Sequence, residues 1–288
     1  MAVATTTETG ARPVRAGRRL SLPAWVGTVP FLGYVGVFLL LPTGIVLFHA
    51  FQNQSGGFSL SGLKVLGDST VRGFFVGSAE LAAVTSVIGA VLGAILAYAV
   101  ASGNPDGVVR RLYLAASGVL AQFGGVTLAF AFLATVGPTG LLLHASWFYD
   151  FPQGIGLIYV YFQIPLMVLV FMPAIDGLKV QWREACENLG GSAWQYWLHV
   201  GGPLLAPAFL GATLLLFANG LSAFATIWAW ENQIAYTVPQ QISIALSSEV
   251  GLANANESAV LALGMVIMVV IVMTGYVLLQ RRAARWLR

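Results

Sequence analysis

Charge is what this chain has least of. Only 9% of its 288 residues are Asp, Glu, Lys or Arg, against 58% hydrophobic, and the mean hydropathy is +0.81. So small a charged fraction cannot solvate a globule of this length, which excludes a soluble protein. Cysteine occurs once, at Cys186, so no intrachain disulfide can form. Lysine is confined to Lys64 and Lys179, neither preceded by Gly, which removes a phosphate-binding loop of the GxxxxGK[ST] type. None of His49, His144 and His199 is followed by Glu, so there is no HExxH zinc pair, and no serine stands in GxSxG. No catalytic, metal-ligating or cofactor-binding residue is assigned on this reading.

Long apolar runs are abundant. They lie at about 24–51, 74–102, 112–136, 154–178, 204–230 and 260–280. A helix needs about 20 residues to cross a hydrocarbon core of about 30 Å. The expectation is an all-α membrane protein with six transmembrane helices, with Pro30, Pro42 and Pro207 blurring the ends of the first and fifth. The opening run is too long for a signal peptide and reads as an uncleaved first helix.

Arginine and lysine orient the chain. Arg12, Arg15, Arg18 and Arg19 precede the first run; Arg110 and Arg111 follow the second; Lys179 and Arg183 follow the fourth; Arg281, Arg282, Arg285 and Arg288 close the chain. Twelve of the 14 basic residues thus fall on one side, leaving Lys64 and Arg72 opposite. Both termini are expected in the cytoplasm of a multi-pass cell-membrane protein. These anchors account for the formal charge of +3 without any nucleic-acid partner. The organisation reads as a disordered basic tail (1–23), a first helix and outside loop (24–73), a membrane core (74–280) and a basic tail (281–288).

Polar residues inside apolar spans are expensive and draw attention. Asn219, Ser222 and Thr226 are spaced three and four apart, so one continuous helix would present all three on one face. They are the first candidates to line a solute pathway. Gln122 and Gln163 either join them or bridge helices by hydrogen bonds. Gly89 and Gly93 form a GxxxG pair suited to close helix packing, and Gly124-Gly125, Pro165 and Pro173 mark interruptions. The outside loops at 52–73, 137–153 and 231–259 carry Asp150, Glu231, Glu249 and Glu257, suited to docking a basic patch on a partner. A short helix is expected around 238–247.

The segment 182–203, WREACENLGGSAWQYWLHVGGP, is the most specific feature. Trp182, Ala185, Cys186 and Leu189 recur at helical spacing opposite Arg183, Glu184, Glu187 and Asn188. Gly190 suits a left-handed C-cap, and Ser192 followed by Gln195 suits a capping box that restarts a second helix bearing Ala193, Tyr196, Trp197 and Val200 on one face. The spacing resembles the cytoplasmic EAA loop of permease subunits in ABC importers: Glu184-Ala185-Cys186, three residues, Gly190, nine residues, Val200, two residues, Pro203. Cys186 stands where that pattern has Ala, and Gly202 where it has Leu. The resemblance extends from about residue 74 to the C-terminus and is closest to the polyamine-type branch, through the stretches 121–137, 159–178 and 214–230.

That likeness implies the type I ABC importer permease fold. Its expected partners are a cytoplasmic ATPase dimer that binds ATP, a second permease subunit, identical or homologous, and an extracytoplasmic solute-binding protein. It assigns ATPase coupling to Glu184, Ala185, Gly190 and Pro203. The alternative reading from another class is a stand-alone secondary transporter or channel. That reading needs an ion site within the spans, where Glu80 and Asp176 are the available carboxylates and both lie near ends.

Overall fold

A computed structural model describes residues 24–52, 57–104, 106–137, 140–142, 144, 146–230, 237–247 and 252–285. The expected tail at 1–23 lies outside the described residues, as do Glu231, Glu249 and Arg288. Among the described residues every regular element is a helix, joined by short turns, with a single isolated bridge between Gln52 and Phe58. The chain divides into two units, Met1–Ile45 and Val46–Arg288.

In the first unit, α1 (Ala24–Val35) passes through a π-helical turn at Gly36–Leu40 into the start of α2 (Leu41–His49). The stretch Thr28–His49 is long and apolar enough to span a membrane, and none of it is buried. Phe31 and Phe38 stand 67% and 68% exposed, a surface fit for lipid and costly in water.

The second unit is built on α3 (Ser69–Ala101) and α6 (Gln153–Asp176), which run parallel in close contact: Gln163 meets Gly89 and Met167 meets Gly93. Asp68 caps α3 by accepting a 2.7 Å hydrogen bond from the Thr70 amide, and that bond holds its carboxyl below the usual range. Small residues let the two helices approach. A Cβ added at Gly89 would lie 2.7 Å from Gln163 Cβ, and one at Gly93 would lie 2.5 Å from Met167 Cβ and 2.8 Å from the Ile164 carbonyl. The GxxxG pair therefore forms the contact itself. Pro165 and Pro173 sit inside α6 without ending it.

Apolar packing divides along this pair. Leu81, Ile155, Ile158 and Phe162 belong to one cluster, and Ala90, Ala97, Met167 and Phe171 to another. At their junction Gln163, fully buried, donates from Nε2 to Thr85 Oγ1 at 3.2 Å, and Thr85 donates to the Leu81 carbonyl at 2.7 Å. One polar layer thus fixes the depth at which α3 and α6 register.

The remaining helices are α4 (Val108–Gln122), α5 (Val126–Val136), α7 (Val180–Asn188), α8 (Ala193–Tyr196), α9 (Gly202–Ser222), α10 (Phe224–Trp230), α11 (Val238–Ser247) and α12 (Leu252–Arg285). The short outer helix expected around 238–247 is α11. Arg110 of α4 forms an ion pair with Asp176 at the end of α6.

Two spans differ from the expectation. The third is not one helix: α4 and α5 meet at 98° across Phe123–Gly125, so the described residues hold five helices able to span, or six if that bent pair crosses as one. The fifth begins earlier than expected and breaks before its end. α8 continues through a π-helical turn at Trp197–Gly201 into α9, making one element from Ala193 to Ser222, and the chain restarts as α10 after Ala223. The second short helix of the loop is therefore the foot of a membrane helix.

Candidate functional site

Two places gather the residues singled out by sequence, and one long helix joins them.

The first is the bend at Gly190. α7 ends because Gly190 takes φ +78°, a left-handed conformation that glycine adopts without steric cost. Its N–H donates to the Glu187 carbonyl at 2.9 Å, and the Gly191 N–H donates to the Cys186 carbonyl at 2.9 Å, the paired bonds of a Schellman cap. A Cβ on Gly191 would lie 2.5 Å from Cys186 Sγ, so the second glycine is needed for space and the first for conformation. Ser192 then caps α8. Its Oγ accepts from Gln195 N (3.3 Å), and its own N–H donates to Gln195 Oε1 (2.7 Å), completing the capping box. Both local expectations hold in the structure.

The faces are less regular than expected. Trp182 and Cys186 are half-buried, but Leu189 is the C-cap residue and stands 89% exposed. Ala185 is exposed too. On the far side Trp194 is 74% exposed, while Tyr196 is buried and Trp197 packs edge-on against Tyr98 at 5.0 Å. Two large apolar side chains thus stand out around a bend whose backbone is fixed. Glu184 is exposed and, among the described residues, has no ion-pair partner. Arg183 hydrogen-bonds Glu187 at 2.9 Å, which raises its pKa further and keeps it charged. Pro203 lies just past the π-helical turn at Trp197–Gly201, inside the continuous Ala193–Ser222 element.

The second place is where two helices break side by side. α4 ends at Gln122 and α5 restarts after Gly125, whose φ is +72°. α9 ends at Ser222 and α10 starts at Phe224. The breaks are tied together, since the Gly125 N–H donates to Thr226 Oγ1 at 3.1 Å. Tyr159 from α6 donates to the Ala223 carbonyl at 2.7 Å. Irregular backbone at membrane depth needs such partners, because lipid offers none. Trp230 Nε1 likewise reaches the Phe148 carbonyl at 2.9 Å.

The five polar candidates separate here. Gln122 and Ser222 are exposed at the ends of their helices and Asn219 is half-buried one turn earlier. Ser222 Oγ donates to the Asn219 carbonyl at 3.1 Å. Thr226 does not extend their stripe, because the helix is interrupted at Ala223; it is 2% exposed and holds Gly125. Gln163 is fully buried between helices. Tyr159 and Gly125 were missing from the sequence candidates. Gly124-Gly125 signalled an interruption, but nothing in the sequence paired Tyr159 with a carbonyl 64 residues away.

An Asn219→Leu change is expected to reduce solute uptake while thermal stability stays near that of the parent, whereas Thr226→Val should lower stability by about 1–3 kcal/mol by orphaning the Gly125 amide. Leu215→Met, off the polar stripe, should do little. Uptake assays beside thermal melts separate the roles. Normal uptake by the Asn219 variant removes it from the pathway.

No family model matches the chain. Over 214 residues it is 25% identical to the trehalose transport system permease protein SugB of Mycobacterium tuberculosis (strain CDC 1551 / Oshkosh), covering 72% of each chain. It is 30% identical over 83 residues to the sulfate transport system permease protein CysT of Escherichia coli K12, covering 29% of this chain and 30% of that one. Over 129 residues it is 23% identical to the molybdenum transport system permease protein ModB of the same organism, covering 44% and 54%. A crystal structure of a bacterial ABC transporter that imports the acidic polysaccharide alginate superposes on 90% of this chain and 94% of its own, with TM-score 0.69 and 16% identity. The same kind of transporter, bound to its alginate pentasaccharide-loaded periplasmic protein, gives 0.71. The fold is that of an ABC transporter permease. Within this permease fold the bend at Gly190 and the paired breaks mark the two ends of the Ala193–Ser222 helix.

Proposed function

We propose that this chain is the permease subunit of an ATP-binding cassette importer. It forms the pathway for a small polar or charged solute, polyamine-like solutes included, delivered by an extracytoplasmic binding protein. ATP is bound and hydrolysed by a separate pair of cytoplasmic subunits that engage the 182–203 loop, and a second permease subunit completes the pathway. The observation that carries this reading is the capped bend with Leu189 and Trp194 standing 89% and 74% exposed around it. Burying two such side chains in a partner's groove stabilises a contact by about 3–5 kcal/mol. The named relatives serve trehalose, sulfate and molybdenum, so the solute is kept at the level of its class.

The test is co-purification. A Leu189→Ser/Trp194→Ser double variant should insert normally yet fail to retain an ATP-binding-cassette ATPase that the parent chain retains. Retention at the parental level would remove the loop from the interface and favour a stand-alone carrier or channel.

A further inference from the structure

Two cavities meet beside the foot of α9, and their chemistries differ. One, about 350 Å³, lies between the ends of α3 and α6, the start of α7 and α8; Lys179, Arg183, Ser102 and Tyr196 are among its lining. The other, about 480 Å³, is an apolar groove running along α3, α6 and α9, lined by Ala94, Ile95, Phe171, Leu205, Ala206 and Phe209. Tyr98, Ile175 and Trp197 line both, so the cavities adjoin. Each falls in the range of about 300–1,000 Å³ typical of small-molecule sites.

The first cavity is cationic, with no carboxylate in its lining. Of the acids close in sequence to this lining, Asp176 pairs with Arg110 and Glu187 with Arg183, while Glu184 is exposed and does not line the cavity. Lys179 Nζ sits 5.9 Å over the Trp182 ring, and as N-cap of α7 it makes no side-chain cap, so the first N–H groups of that helix add partial positive charge. The second cavity offers no charge at all. A ligand filling both needs an anionic head and an apolar tail of acyl length.

We infer that the two cavities together bind one anionic phospholipid, its phosphodiester between Lys179 and Arg183 and an acyl chain in the groove between α3, α6 and α9. The ligand comes from the leaflet that faces the loop, which by the distribution of basic residues is the cytoplasmic one. It would seat against the foot of the helix that starts at the bend, where lipid composition bears on the loop's position. The inference rests on the orientation in the proposed function but not on any ATPase contact, so the two fail separately.

Native mass spectrometry of the full chain, extracted into micelles doped with equal phosphatidylglycerol and phosphatidylcholine, tests it. The parent should retain one phosphatidylglycerol in preference to phosphatidylcholine. A Lys179→Gln/Arg183→Gln variant should lose that preference by roughly tenfold or more. Ala206→Phe, at an exposed position that fills the groove, should lose the lipid while keeping its melting temperature. Equal retention of both lipids by the parent overturns the inference, as does undiminished phosphatidylglycerol on the double variant. Inorganic phosphate competing the lipid off with Ala206→Phe unaffected would identify a free-anion site instead. Loss of the lipid on assembly with a second permease would show that the groove is covered by protein, which also overturns it.

Discussion

Replacing Gly190 with Pro should abolish solute-stimulated ATP hydrolysis in the reconstituted complex while the chain still inserts. The bend needs φ +78° and an N–H that reaches the Glu187 carbonyl. Proline fixes φ near −65° and has no N–H, so it opposes both requirements. Space is not the issue, since a Cβ at this position meets nothing within 4 Å. The expected order of damage therefore follows backbone conformation. Asn, which tolerates the left-handed region, should be mild; Ala should cost about 1–2 kcal/mol; Pro should be worst. A coupling loss of roughly 5- to 150-fold is the scale expected when a two-site linkage is broken. Full stimulated activity in the Pro variant would sink the coupling role of the loop, and equal damage from Asn and Pro would point to the side chain rather than the bend.

Gly93→Leu should be the most destabilising single change in the membrane core. Even a bare Cβ there would lie 2.5 Å from Met167 Cβ and 2.8 Å from the Ile164 carbonyl, a backbone atom that cannot rotate away. α3 and α6 must separate, which also strips the Gln163–Thr85 bond from the layer above. Overpacking alone costs about 1–3 kcal/mol, and the lost polar contact adds roughly 0.6 kcal/mol on the scale measured between membrane helices. Gly118→Ala is the control: its Cβ meets nothing within 4 Å, and alanine favours the helix by about 1 kcal/mol. Thermal unfolding of the extracted chain should fall sharply for the first and hold or rise for the second. Similar melting temperatures for both would mean that α3 and α6 do not pack through Gly93.

Local chemistry was the most legible part of the sequence. The cap at Gly190 and the box at Ser192 are set by residues within three or four positions of one another, so spacing alone fixes them. Apolar length likewise announces where the chain crosses the membrane, and GxxxG announced a close contact though not its partner. The breaks were only half legible. Gly124-Gly125 flagged the first, but Leu221 to Phe224 offers neither Gly nor Pro, and a helix period ran straight through it. That break is sustained by Tyr159, which donates to the Ala223 carbonyl, and by Gly125, which donates to Thr226, both from other parts of the fold, so its cause is tertiary. Assigning Thr226 to the face of Asn219 failed for the same reason. Gln163 reads as polar inside a span in either role; its bond to Thr85 belongs to a pairing 78 residues apart.

The helical continuity between the loop and the long helix above it sets how movement travels. From Ala193 to Ser222 the chain is a continuous helix of 30 residues, about 45 Å long at 1.5 Å per residue. Such a rod behaves as a lever arm. Tilting its foot by about 5° displaces the far tip by about 4 Å, more than half a helical turn. The tip is where Asn219 and Ser222 sit and where Thr226 latches the neighbouring break. The π-helical turn at Trp197–Gly201, with Pro203 and Pro207 just beyond it, is where the shaft can flex, so the stiffness of that stretch governs how much of any push at the foot arrives as swing and how much is lost as flexure.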